Sequence, residues 1–315
     1  MIRIKRFLLI LLPILLLAAC ATSQQNEDTT LPSDPPEPSA PSSPSDLPEH
    51  QYPEPDLDGW RIYVTIHMGE EIWSFTEKEL GRLPEGQAGA FSHAYSTVNN
   101  WPSTRFYAAE GFLVESILTA AGIFEEAQVI TFRSGDGYEV SLTRDQLLGG
   151  QYYFPMAGEN DTGAEPVAPI IAFGWREGTT DLGEVSDNKP TLIFGQRNPF
   201  EQTNPAFVTG ISEINVSFAP GGSWPVAETF PRPGPIAEGE TVKLQHQNLG
   251  MVKLHYTLDG SIPTPLSPMY NPSTFRPELT VPIPITSPTT IKILATGYGM
   301  NDSEIAEYEF WLTPD

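Results

Sequence analysis

Apolar and polar positions alternate along most of the chain, and the period changes little after residue 60. Tyr63 to His67 (YVTIH) reads as a strand. Thr76-Glu77-Lys78-Glu79 opens a short helix with a Thr-x-x-Glu capping box that Gly81 ends. Glu110 to Ala121 predicts a longer helix, with Leu113, Ile117, Leu118 and Ala121 on one face and Gly122 as its stop. Val129–Phe132 and Tyr138–Leu142 flank Gly135-Asp136-Gly137 as a hairpin, and Thr143-x-x-Gln146 caps a further short helix. Ile170–Trp175, Thr191–Phe194 and Ile211–Phe218 read as strands. Strands outnumber short helices and no βαβ alternation occurs, so residues 58–220 are predicted to be a mixed, β-rich α+β domain.

Beyond a Gly/Pro-rich joint at 219–239 the alternation becomes strict. Val242, Leu244 and His246 share one face, and Val252, Leu254, Tyr256 and Leu258 share the inner face of the next strand. Asp259-Gly260 makes a tight turn, Pro263, Pro265, Pro268 and Pro272 confine the following connection to loop or edge, and Thr290–Thr296 and Ile305–Leu312 supply late strands. Residues 221–315 are therefore expected to form an all-β, immunoglobulin-like sandwich. On this alternation His255 lies with Lys253 and Thr257 on the outer face, and is expected at the surface.

The first 57 residues follow neither period. Arg3, Lys5 and Arg6 precede a 13-residue apolar run, Phe7 to Ala19, which is short for a membrane-spanning helix and is interrupted by Pro13. Residues 1–19 read as an export signal. The run ends in Leu17-Ala18-Ala19-Cys20, which resembles the lipobox of bacterial lipoproteins and implies lipidation of Cys20. An ordinary signal peptide with an incidental Cys is the alternative. Ala21 to Leu57 holds nine Pro, six Ser, eight acidic residues and no Lys or Arg. With Cys20 it reads as a disordered tether, 20–57, with a reach of roughly 35 Å as a coil and up to about 115 Å as polyproline; a Pro-rich ligand for a recognition domain is the other reading. The expected location is extracytoplasmic, on a membrane through the lipid anchor.

The balance of charge narrows the partners. Of 315 residues, 17 are Lys or Arg and 40 Asp or Glu, a formal charge of −23. Loss of residues 1–19 leaves 14 basic against 40 acidic residues and a charge of −26. Nucleic acid is excluded as a partner, because phosphate binding needs clustered cations. The single Cys excludes an internal disulfide and any multi-thiolate metal site.

Candidate chemistry is sparse. His67 and His93 stand in no H-x-H or H-x-x-x-H spacing, and no G-x-S-x-G, P-loop or G-x-G-x-x-G is present. Gly158-Glu159-Asn160-Asp161-Thr162-Gly163 offers oxygens at close spacing for calcium, but departs from an EF-hand loop and reads better as solvated. Tyr95, Trp101, Arg105 and Tyr107 fall close together, a set that suits a flat or anionic ligand or, equally, a core.

The segments FTEKELGRLP, AYSTVNNWPSTRFYAAEGFLVESILTAAGI, VITFRSGDGYEVSLTRDQLL, PIIAFGW, KPTLIFGQRN and FVTGISEINVSF together resemble the molybdopterin-binding domain of the sulfite-oxidase type. The resemblance implies a pocket near Tyr95, Ser96, Thr97, Trp101, Arg105, Asp136 and Tyr138. In the enzymes of that family a Cys thiolate ligates molybdenum, whereas residues 93–105 contain none, which leaves Ser96 or Thr97 near the vacated position. LHYTLDGSIPTPLSPMYNPS and ITSPTTIKILATGYGMNDSEIAEYEF resemble the C-terminal module of chitobiase and β-hexosaminidase, which implies an accessory domain; a plain spacer or packing module is the favoured role, and glycan binding through Tyr270, Tyr298 or Trp311 is the alternative. The favoured reading is a non-catalytic, lipid-anchored binding or scaffold protein without a cofactor, facing a glycan, the cell wall or another surface protein. The alternative is a molybdopterin-dependent oxidoreductase with a non-Cys ligand.

Overall fold

The computed structural model describes residues 60–66, 70–81 and 90–314. The export signal, Cys20, the tether and His67 lie outside the described residues. The first region runs β1 (Arg61–Ile66), β2 (Glu70–Thr76), α1 (Glu77–Leu80), β3 (Ala90–Val98), β4 (Thr104–Leu113), α2 (Val114–Ala120), β5 (Val129–Ser134), β6 (Glu139–Thr143), α3 (Arg144–Leu148), β7 (Gln151–Tyr153), β8 (Glu165–Val167), β9 (Ile170–Glu177), β10 (Asp187–Ile193) and β11 (Ile211–Ser217). Two sheets carry it, ordered β2-β1-β11-β5-β6 and β10-β9-β4-β3, and β1 with β11 is a parallel pair. Ile62, Val64, Phe132, Ile214 and Val216 of the first sheet meet Ile171, Phe173 and Leu192 of the second in one core, which Ile117 and Leu118 of α2 also enter. Tyr95, Ala109, Ile170 and Ala172 form a second core on the far face of the smaller sheet. Strand β9 is thus buried on both faces, which explains its unbroken apolar run from Ile170 to Phe173.

Local signals hold at the short elements. Thr76 with Glu79 and Thr143 with Gln146 both close reciprocal capping boxes. Gly122 takes φ 73° after α2, and Ile123 N–H reaches back to Leu118 O at 3.0 Å. The longer helix is a correction: Glu110–Leu113 belong to β4, and only Val114–Ala120 are helical. Gly111, Phe112 and Leu113 pair with Ala172, Ile171 and Ile170, so ladder hydrogen bonds claim the backbone that the helix would need. Gly111 is required there, since a Cβ would stand 2.1 Å from Ile171 O.

The second region runs β12 (Glu228–Phe230), β13 (Gly234–Ile236), β14 (Thr241–Gln245), β15 (Val252–Thr257), β16 (Ile283–Pro284), β17 (Thr289–Gly297) and β18 (Ala306–Leu312). Its sheets are ordered β12-β14-β16 and β13-β18-β17-β15, with Val242, Leu244, Leu254, Ile291, Ile293 and Phe310 in the core between them. The region is all β apart from one short 3-10 turn at Pro277–Leu279. Two further corrections apply to its inner face. Leu258 is exposed, and His246 follows the end of β14 and is half-buried, its ring nitrogen against Pro225 O at 2.9 Å.

The two regions are joined by specific polar contacts. Gln146 Nε2 donates to Gly297 O (2.7 Å) and Met300 O (2.8 Å), and its Oε1 accepts from Gly299 N–H (2.9 Å). Asn100 accepts from Thr274 N–H (3.1 Å) and Lys253 Nζ (3.3 Å), and Gln202 Nε2 donates to Pro272 O (2.7 Å). Trp101 lies under the Arg276 guanidinium, 5.6 Å from ring centre.

Candidate functional site

The residues expected to line a pocket in the first region are divided by the fold. Tyr95, Ser96 and Thr97 are fully buried on β3. The Tyr95 hydroxyl donates to Ala168 O (2.7 Å), and burial pushes its pKa far up. Ser96 Oγ donates to Gln196 Oε1 (2.6 Å) while accepting from Phe154 N–H (2.8 Å). Thr97 Oγ1 accepts from Thr203 Oγ1 and Asn204 N–H, each at 2.7 Å, and donates to Val98 O (3.2 Å). Tyr138, at the hairpin, donates to Pro205 O (2.6 Å), so it and Thr97 hold the same short segment, 203–205. Asp136 is turned into its own hairpin, where the Ser134 hydroxyl and Tyr138 N–H hold its carboxyl below the ordinary range. Trp101 and Arg105 are on the outside, the latter 3.5 Å from Glu177. The expected grouping of Tyr95, Trp101, Arg105 and Tyr107 is therefore corrected: the two tyrosines are a buried cross-strand pair and the other two are exposed.

These residues do not fit molybdenum. The hydroxyls of Ser96 and Thr97, which the resemblance would put near a metal, are hard donors, and both are already engaged inside the core. His93 is half-buried, with Nδ1 2.7 Å from Ala94 O and Nε2 3.5 Å from Glu165. Among the described residues no three His, Cys, Asp or Glu side chains converge on a metal position, the 158–163 loop included.

A site that the sequence did not reveal lies between the two regions. The connection 195–205 and the start of β15 enclose a cavity of about 140 Å³, lined by Arg197, Phe200, Glu201, Gln202, Lys253 and His255 among others. A neighbouring cavity of about 390 Å³ shares Phe200, Gln202 and His255 and runs under Leu266 and Met269. Arg197 Nε and Nη2 bind Glu201 Oε1 at 2.9 and 2.5 Å, and Arg197 N–H binds the other oxygen at 2.6 Å. Burial pulls the guanidinium pKa down, but Glu201 more than offsets this and holds it above its ordinary value. Tyr298 reaches the same Glu201 oxygen at 3.3 Å, and its hydroxyl is pushed well up by burial.

His255 is the clearest correction. Only 3% of it is exposed. The alternation put it on the outer face of the sandwich, where it is, but that face is turned towards the first region, whose Phe200 and Gln202 line the same cavity as His255. The segment Pro268–Tyr270 pairs along the edge of β15, with Tyr256 N–H on Pro268 O and Tyr270 N–H on Leu254 O. Nδ1 lies 3.0 Å from Ser267 O, so it carries the proton and leaves Nε2 as an acceptor. Burial is the main cause that lowers the His255 pKa; Lys253 adds to it, and the Ser267 carbonyl and Asp302 oppose it. Burial also pulls the Lys253 amine down to about 8, although Asn100 Oδ1, Asn271 O and Pro272 O surround it at 3.2–3.5 Å. Desolvation raises the Asp302 carboxyl against the pull of Arg197 and His255. Of the glycan platforms, Tyr270 is buried in the sandwich core and Tyr298 is half-buried between the regions, so only Trp311, 51% exposed, offers a free ring.

The profile of the chitobiase/β-hexosaminidase C-terminal domain matches residues 231–307, in agreement with the second resemblance. No curated protein matches the chain.

Proposed function

We propose that the chain is a lipid-anchored, extracytoplasmic, non-catalytic binding protein that holds a small ligand in the cleft between its two β-rich regions. The anchor is Cys20 and the spacer is the acidic Pro/Ser tether. In this reading residues 58–220 keep a molybdopterin-type scaffold whose metal position has been refilled by hydrogen-bonded hydroxyls. Residues 221–315 serve as an accessory module that closes the cleft.

The observation that carries the binding role is the cleft itself. It brings Arg197 and Glu201 of the first region together with Lys253, His255 and Asp302 of the second around an open space beside Phe200 and Met269. Titratable groups with shifted pKa values that converge on a cavity are the physical signature of a candidate ligand site. A thermal-shift screen of a small-molecule library against the full chain tests it. Stabilising compounds are expected, and Met269→Arg, which fills the cavity, is expected to abolish the shift. Hits unaffected by Met269→Arg, or none at all, would overturn the cleft. The anchor is tested separately by metabolic palmitate labelling, which Cys20→Ser is expected to eliminate.

A further inference from the structure

The groups around the cleft that make no hydrogen bond are nearly all acceptors. Gln202 Nε2 is committed to Pro272 O, which fixes the orientation of the amide, and Oε1 is buried without a partner. His255 Nδ1 is committed to Ser267 O, so Nε2 presents a lone pair with no hydrogen-bond partner among the described residues. Asp302 contributes a carboxyl that also makes no hydrogen bond there. The donors are largely consumed: Lys253 faces three oxygens, and two of the Arg197 side-chain nitrogens face Glu201.

A buried acceptor without a partner is destabilising, and a ligand that donates to it recovers that cost. An anion would bring further acceptors to this wall and meet Glu201 and Asp302. A cation would meet the fixed charge of Arg197 and the amine of Lys253. What remains is a neutral molecule with several hydroxyl donors on its rim. Phe200, 41% exposed, and Met269 supply an apolar surface for a face without polar atoms.

We infer that the cleft binds a neutral saccharide unit, its hydroxyls donating to His255 Nε2, Gln202 Oε1 and Asp302 and its C–H face lying on Phe200 and Met269. The inference rests on the cleft being a ligand site. The test uses the full chain in detergent on an array of neutral di- to tetrasaccharides, N-acetylated ones included, with calorimetry on the sugars retained. At least one is expected to bind, and His255→Phe and Gln202→Met are each expected to weaken it about tenfold or more. Independently of any variant, the His255 Nε2 resonance in ¹⁵N-labelled native protein is expected to move on titration, as an acceptor nitrogen does when it gains a proton donor. Saccharide binding that leaves both variants and this resonance unchanged overturns the inference. So does a cleft that takes an amine or a carboxylate and no sugar, an outcome that leaves the binding role standing. A cleft that binds nothing overturns both.

Discussion

Gln146 is the side chain on which the joint between the two regions depends most. It is 4% exposed and makes four hydrogen bonds from its amide. Two donate to Gly297 O and Met300 O of the second region, and two accept, from Gly299 N–H and from Thr143 N–H at 3.0 Å. Gln146→Leu keeps approximate shape and removes all four. At roughly 0.5–1.5 kcal/mol each the loss is about 2–6 kcal/mol, and the upper half applies because the partner groups remain buried. Urea unfolding followed by tryptophan fluorescence measures it, since Trp60, Trp73 and Trp175 report on the first region and Trp224 and Trp311 on the second. The native protein is expected to unfold in one transition, and the variant in two, with the lower midpoint well below the native one. Gln146→Glu supplies a control of sign. Ionised, it turns an oxygen towards two carbonyls and is expected to be at least as damaging as Leu. In acid its protonated carboxyl can donate to one of them, so part of the stability should return. A loss under about 1 kcal/mol in Gln146→Leu, or coincident transitions, would refute the view that this amide couples the regions.

Three further outcomes follow. Gly111→Ala places a Cβ 2.1 Å from Ile171 O and 2.6 Å from Ala172 Cα, and is expected to cost about 3 kcal/mol or more by thermal or urea denaturation; near-native stability would show that β4 and β9 can part there. Lys253→Met should gain stability at neutral pH. The folded amine titrates at about 8 against 10.5 when free, so the unfolded chain holds the proton more tightly. The native protein therefore carries the full cost below pH 8 and sheds it as pH rises towards 10.5. The gain, at most about 3 kcal/mol at neutral pH and reduced by the donor lost to Asn271 O, should vanish by that pH; a gain independent of pH would assign it to packing alone. Finally, elemental analysis and pterin fluorescence on protein from its native host are expected to find neither molybdenum nor pterin, and stoichiometric metal would refute the refilled metal position.

The elements set by near neighbours were legible in the sequence. Both capping boxes, the Gly122 stop, the hairpin at Gly135–Gly137 and the core faces of β14 and β15 depend on contacts within a few residues, and period and turn chemistry report those directly. Glu110–Leu113 were misread because helical spacing of apolar residues says nothing about a strand waiting 60 residues away to pair with them.

The candidate site was the least legible part. His255 sits where alternation put it, on the face away from the sandwich core, yet alternation cannot tell a face open to water from one turned towards Phe200 and Gln202 of the other region. The sequence shows Gln146 as a helix cap, which it is, while the other three bonds of its amide, to Gly297 O, Met300 O and Gly299 N–H, exist only once the regions dock. Sequence alone thus determined the local turns, the strand-rich pattern, the C-terminal family resemblance and the charge. Which titratable groups share a cleft, and with what protonation, was decided by tertiary packing, because desolvation and long-range hydrogen bonds depend on what folds over a residue and leave no periodic trace along the chain.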